Sequence, residues 1–147
     1  MQSQAQYYVA AAREYEAAGR HDDAENWWKR AASEELNPPS QPEEPWSEHY
    51  FYKALALEHV GQKAQARALY ERLATLNDDQ KMLEKEPWPA TGAIRFVLAG
   101  AALKALGRRD EARIALERAL RIDPQNELAL AQLAELKSGT NQTIGNR

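Results

Sequence analysis

Residues 96–119 read FVLAGAALKALGRRDEARIALERA. Apolar residues recur at three- and four-residue steps on both sides of Gly107, which is the pattern of two helices that each bury one face. Glycine adopts the left-handed backbone that ends a helix at little cost, so Gly107 reads as the turn between them. Ala99, Gly100 and Ala112 are small enough to let the two helices approach closely. The same reading applies to YVAAAREYEAAGRHDDAENWWKRA at residues 8–31 and to YFYKALALEHVGQKAQARALYERL at residues 50–73. Each stretch opens on an aromatic residue (Tyr8, Tyr50, Phe96) and reaches a glycine eleven residues later, at Gly19, Gly61 and Gly107. Five residues beyond each glycine stands an alanine, Ala24, Ala66 or Ala112, followed four residues on by Trp28, Tyr70 or Leu116. Ala31, Leu73 and Ala119 fill the last slot.

This threefold pattern resembles the tetratricopeptide repeat, a helix–turn–helix unit of about 34 residues. The resemblance implies an all-α fold: an α-solenoid of antiparallel helix hairpins, wound as a right-handed superhelix. The third copy fits best, because Pro124 closes it in register. Leu36 and Asp78 stand at that place in the first two copies, so their exits should differ. The glycines are 42 and 46 residues apart, which leaves insertions of about 8 and 12 residues between units. The repeats then span 5–38, 47–80 and 93–126 within one domain, 1–137, with insertions at 39–46 and 81–92. Helices are expected at 3–18, 22–36, 47–60, 63–77, 93–106, 109–122 and 126–137. Six of the seven prolines fall in or beside the insertions, and none interrupts an expected helix. NELALAQLAELK reads as a capping helix, with Leu130, Leu133 and Ala134 on first-helix slots before the sequence turns polar at Lys137. The tail 138–147, SGTNQTIGNR, has no periodicity and is expected to be disordered.

Composition narrows the function. The 147 residues carry a net charge of -3, which argues against nucleic acid as partner. There is no cysteine, hence no disulfide framework, thiol nucleophile or cysteine-built zinc site. No apolar run is long enough to span a membrane, and the first residues lack the basic start and apolar core of a signal peptide, so a cytoplasmic location is expected. No nucleophile, acid/base and charge stabiliser converge on the helical map, so neither enzyme activity nor a cofactor or metal is expected. His21 and His49 sit at helix starts and read as solvated. Charge shifts along the chain, from -5 over residues 1–46 to +3 over 93–147. The basic set Lys104, Arg108, Arg109, Arg113, Arg118 and Arg121 reads first as a solvated ladder on an outer helix, and second as a docking patch for an acidic partner.

The resemblance also implies where a partner would bind: a concave groove lined by the first helix of each repeat. On this sequence the groove residues are Val9, Arg13, Phe51, Tyr52, Leu55, His59, Val97, Ala101 and Lys104. The family's two-carboxylate clamp would fall on Val9, Arg13, Tyr52, Ile94 and Leu98, where only Arg13 could serve, so that clamp is not expected. The groove instead offers apolar and aromatic groups, which suit a protein or peptide with hydrophobic anchors, or a second copy of the chain. The expected function is therefore a non-catalytic binding scaffold, with Phe51 as an anchor and Arg13 and Lys104 as charged ends. The alternatives are a self-association module, or an accessory helical domain of a larger bacterial protein such as a carbohydrate-active one. Trp46 and Trp88, each beside a proline, should fill the gaps the insertions open. Read otherwise, they are exposed anchors. Trp28 takes a buried slot, which turns Trp27 outward or towards the next repeat.

Overall fold

The computed structural model describes residues 4–36, 46–77 and 89–138. Among these residues are seven α-helices and no strand: α1 (Ala5–Ala17), α2 (His21–Ala32), α3 (His49–His59), α4 (Lys63–Ala74), α5 (Pro89–Ala105), α6 (Arg109–Ile122) and α7 (Glu127–Lys137). A 3-10 turn, Thr75–Asn77, follows α4. The all-α class is as expected. The chain divides into two compact units, Met1–Leu69 and Tyr70–Arg147. Trp88, the first residues of the second insertion and most of the tail lie outside the described residues.

The glycine turns share one geometry. Gly19, Gly61 and Gly107 have φ of 76°, 89° and 84°, the left-handed region where a side chain would be strained. At each, two backbone hydrogen bonds close the end of the preceding helix. The Gly107 N–H donates to the Lys104 carbonyl at 3.0 Å, and the Arg108 N–H donates to the Leu103 carbonyl at 2.9 Å. Arg20 N–H to Tyr15 O and Gln62 N–H to Leu57 O repeat the longer-range bond, both at 2.9 Å. This pattern satisfies carbonyls that a helix end would leave orphaned.

The slots that define the repeat are its core. Ala24, Ala66 and Ala112 are at most 1% exposed, Trp28, Tyr70 and Leu116 at most 3%, and Ala31, Leu73 and Ala119 are fully buried. In the second unit the reason for Gly100 is visible. A Cβ there would lie 2.6 Å from Leu116 Cγ and 3.3 Å from the Ala112 carbonyl oxygen, so only glycine permits this approach of α5 to α6. In the first unit Val9 and Ala12 of α1 meet Ala24, Trp28 and Ala31 of α2 and Ala56 of α3 in one cluster.

Helix ends depart from the sequence reading in informative ways. α5 starts four residues early, at Pro89, because proline fits the first helical position, where no N–H is needed. Asn126 caps α7, its side-chain oxygen accepting from the Ala129 N–H at 2.9 Å. α2 stops at Ala32, four residues short of expectation, and the chain beyond it is used elsewhere. The Glu34 carboxylate accepts from the Gln4 N–H at 3.1 Å, and the Glu34 carbonyl accepts from Lys53 Nζ at 2.6 Å. The capping helix shows a different face from the one expected: Leu128, Ala129, Gln132, Leu133 and Leu136 are buried, whereas Leu130 and Ala134 are exposed.

His49 also differs from expectation, being half-buried rather than solvated. Its Nδ1 accepts the Gln6 backbone N–H at 3.2 Å, so it completes, with Glu34, the capping of α1 from outside that helix. An imidazole can accept at Nδ1 only when that nitrogen is unprotonated. Burial pushes the His49 pKa down from its ordinary 6.5, partly opposed by the Glu34 carboxylate. A lowered pKa means the unfolded chain takes up the proton first as pH falls. The stabilisation is therefore complete above the ordinary value and lost as pH drops through the folded-state value. The melting temperature of the chain should fall on acidification through this window more steeply than that of His49→Gln. Parallel pH profiles for the two proteins would refute the assignment.

Candidate functional site

The nine expected groove residues divide between the units, and each unit places its own set. In the first, Arg13 on α1 is exposed, as is His59 at the end of α3, while Tyr52 and Leu55 are half-buried. Tyr52 and Leu55 rest against the core cluster of α1 and α2, and α1 and α3 pack against each other. Val9 and Phe51 are buried, Val9 within that cluster and Phe51 edge-on to Tyr52 with ring centroids 5.4 Å apart. In the second unit Val97 and Ala101 are buried, and so is Lys104.

Lys104 is thus not a free charged end. Its Nζ pairs with the Glu135 carboxylate of α7, joining the two helices at the close of α5, where the helix dipole also favours a cation. The burial of Val97, Ala101 and Lys104 has one cause. α5 is packed on by α6, by the 3-10 turn and by α7, so almost no side of it is free. Its sequence signals this, since AIRFVLAGAALKA is apolar nearly all round rather than along one stripe.

Sequence reasoning missed a tightly connected set in the first unit. The Trp28 indole N–H donates to Glu16 Oε1 at 2.9 Å, and His59 Nε2 lies 3.1 Å from the same oxygen. The rings of Trp28 and His59 stack with centroids 4.1 Å apart and planes 15° from parallel. One carboxylate on α1 therefore holds an indole from α2 and an imidazole from α3. Beside it, Trp27 is half-buried between the rings of Tyr8 and Tyr15, at 5.5 and 6.5 Å. It packs on its own repeat's first helix. The Arg30 guanidinium covers both Tyr8 and Trp27, and that of Arg20 covers Tyr15, at about 5 Å in each case. Trp46 is half-buried, its ring 4.9 Å from Tyr50.

The basic residues of the third repeat are mostly committed to structure. Arg109 donates to the Leu136 carbonyl at 2.6 Å and closes the C-terminal end of α7. Arg118 lies over the Phe96 ring, and Arg108 pairs with Glu111 at 2.6 Å. Arg113 and Arg121 are exposed, but Arg113 sits nearest Asp110, at 3.9 Å, and not Glu117. This disposition suits a solvated face better than a docking patch. Among the described residues no three His, Asp or Glu side chains gather as metal ligands, and no helix is long and apolar enough to cross a membrane.

A family model described as tetratricopeptide repeat matches residues 93–136, which span α5, α6 and α7. Among solved structures the chain is similar to one described as the first TPR of Spaghetti (RPAP3) bound to HSP90 peptide SRMEEVD, at 19% identity, with 92% of each chain covered and a TM-score of 0.40. No curated protein matches the chain.

Proposed function

We propose that this chain, which carries a tetratricopeptide repeat at residues 93–136, is a non-catalytic scaffold that binds a protein or peptide. The observation that carries the reading is the accessible set on two adjacent first helices of the first unit: Arg13 on α1 with Tyr52, Leu55 and His59 on α3. These groups lie on a rigid base, because Tyr52 and Leu55 rest on the α1/α2 core while His59 is held by Glu16 and Trp28. Preorganised side chains lose little entropy on binding. The ligand favoured is a segment with an apolar anchor for Tyr52 and Leu55 and an acidic group for Arg13, whose charge would chiefly steer association. Phe51, buried on α3 beside Tyr52, supports this site from within.

A peptide array with apolar anchors at varied distances from an acidic residue tests the reading. Bound peptides should lose affinity about tenfold or more with Leu55→Ser, and less, in a salt-dependent manner, with Arg13→Ala. Binding that ignores both substitutions, or a complete absence of bound peptides, would refute it.

A further inference from the structure

Five lysines stand among the described residues, and four have a familiar setting. Lys29, Lys63 and Lys137 are exposed, and Lys104 is buried against the Glu135 carboxylate. Lys53, on α3, is different. It is half-buried, and its Nζ donates to the Glu34 main-chain carbonyl at 2.6 Å. A carboxylate partner holds a lysine in its charged form, whereas a neutral carbonyl accepts from an ammonium or an amine alike. Lys53 can therefore lose a proton and keep its hydrogen bond. That bond uses an N–H, so the lone pair of the free amine is not spent on it. Burial pushes the Lys53 pKa below its ordinary 10.5, opposed by the Glu34 and Glu35 carboxylates. A lowered pKa leaves more free amine at neutral pH, and the free amine is the nucleophile.

We propose that Lys53 is an acylation site of this chain, open to acyl phosphates and acyl thioesters, and that its acylation unties the exit of α2 from α3. The Nζ lone pair attacks the acyl carbonyl carbon, and an N–C bond forms. The bond from that carbon to oxygen or sulfur breaks, so phosphate or thiolate departs with the electron pair. The nitrogen gives up a proton to water, and the product is a neutral amide with a single N–H. Its attraction to Glu34 and Glu35 is lost, and the added acyl group crowds the carbonyl contact. The contact matters because the same residues serve α1. The Glu34 carboxylate accepts from the Gln4 N–H at 3.1 Å. His49, one turn before Lys53 on the same face of α3, accepts from the Gln6 N–H at 3.2 Å. Lys53, Glu34 and His49 together tie α3 to the exit of α2, and both to the start of α1.

Acetyl phosphate added to the whole chain near neutral pH tests the proposal, with each lysine followed by mass spectrometry of proteolytic peptides. Lys53 should be acetylated several-fold faster than Lys29, Lys63 and Lys137, although each of those is more exposed. The excess should shrink as the pH is raised to 10.5, where the other amines also lose their protons, and should vanish in denaturant. Acetylated protein should exchange its amide hydrogens faster at residues 4–6 and 33–36, around the Glu34 and His49 contacts. Lys53→Arg keeps a donor but cannot be acetylated there, so the same treatment should leave its exchange unchanged. Acetylation of Lys53 no faster than that of Lys29 would overturn the assignment. So would an excess that ignores pH, because exposure and not protonation would then set it. Unchanged exchange in fully acetylated protein would overturn the untying. Leu55→Ser and Arg13→Ala should leave the acetylation rate unchanged, so this site and the α1–α3 face can fail independently.

Discussion

Ala112→Arg should abolish cooperative folding of the second unit. Ala112 is fully exposed to neither water nor a charge partner: it is completely buried, and its carbonyl lies against the place where a Cβ on Gly100 would stand. No rotamer can carry a guanidinium out of so close a contact without parting α5 from α6. Overpacking alone costs about 1–3 kcal/mol, and a buried unpaired charge adds several more. The total rivals the stability of a whole domain, about 5–15 kcal/mol. Thermal unfolding followed by far-UV circular dichroism should lose a large part of its transition. A melting curve that matches the unsubstituted protein would mean that Ala112 does not hold the contact. Ala112→Gly is the mild control, with a loss of about 1 kcal/mol from helix propensity.

Trp28→Ala should be the most damaging single truncation in the first unit. The side chain fills the core between α1 and α2, stacks on His59 of α3 and donates to Glu16 of α1, so three helices lose a shared partner together. Removing a buried tryptophan costs about 3–5 kcal/mol. Trp28→Phe divides that cost, since it keeps most of the packing and loses the hydrogen bond, worth about 1 kcal/mol. Denaturant titration should rank the proteins as unsubstituted, Trp28→Phe, Trp28→Ala, with the larger step second. A Trp28→Ala loss below that of Trp28→Phe would contradict the assignment.

Most of the fold was legible because each repeat states its own register. After each glycine that must turn left-handed, an alanine, a large residue one turn later and a closing Ala or Leu recur at fixed distances, and all nine of these later slots are buried. The site was harder to read, for reasons that lie in particular residues. Lys104 looks solvated in sequence because its partner, Glu135, is 31 residues away on another helix, and periodicity says nothing about cross-helix pairing. Phe51 and Val97 occupy first-helix slots, but α3 and α5 bury more than one side, so an apolar residue there is core. Pro89 looked like a boundary because proline breaks a helix everywhere except at its start. Glu16 reads in sequence only as a groove-lining carboxylate on a first helix, because it gains its role only when Trp28 and His59 arrive from two other helices.

The three glycine turns bear on how the chain reaches its structure. Each connects its two helices through very few residues, so the contacts within a hairpin join positions close in sequence, and closing such a short loop costs little chain entropy. Ala12 meets Ala24, and Gly100 meets Leu116, without waiting for distant segments to find one another. Folds dominated by such local contacts form in microseconds to milliseconds. The glycines therefore bear on the clock as well as on the architecture: each hairpin is expected to close before contacts between hairpins form.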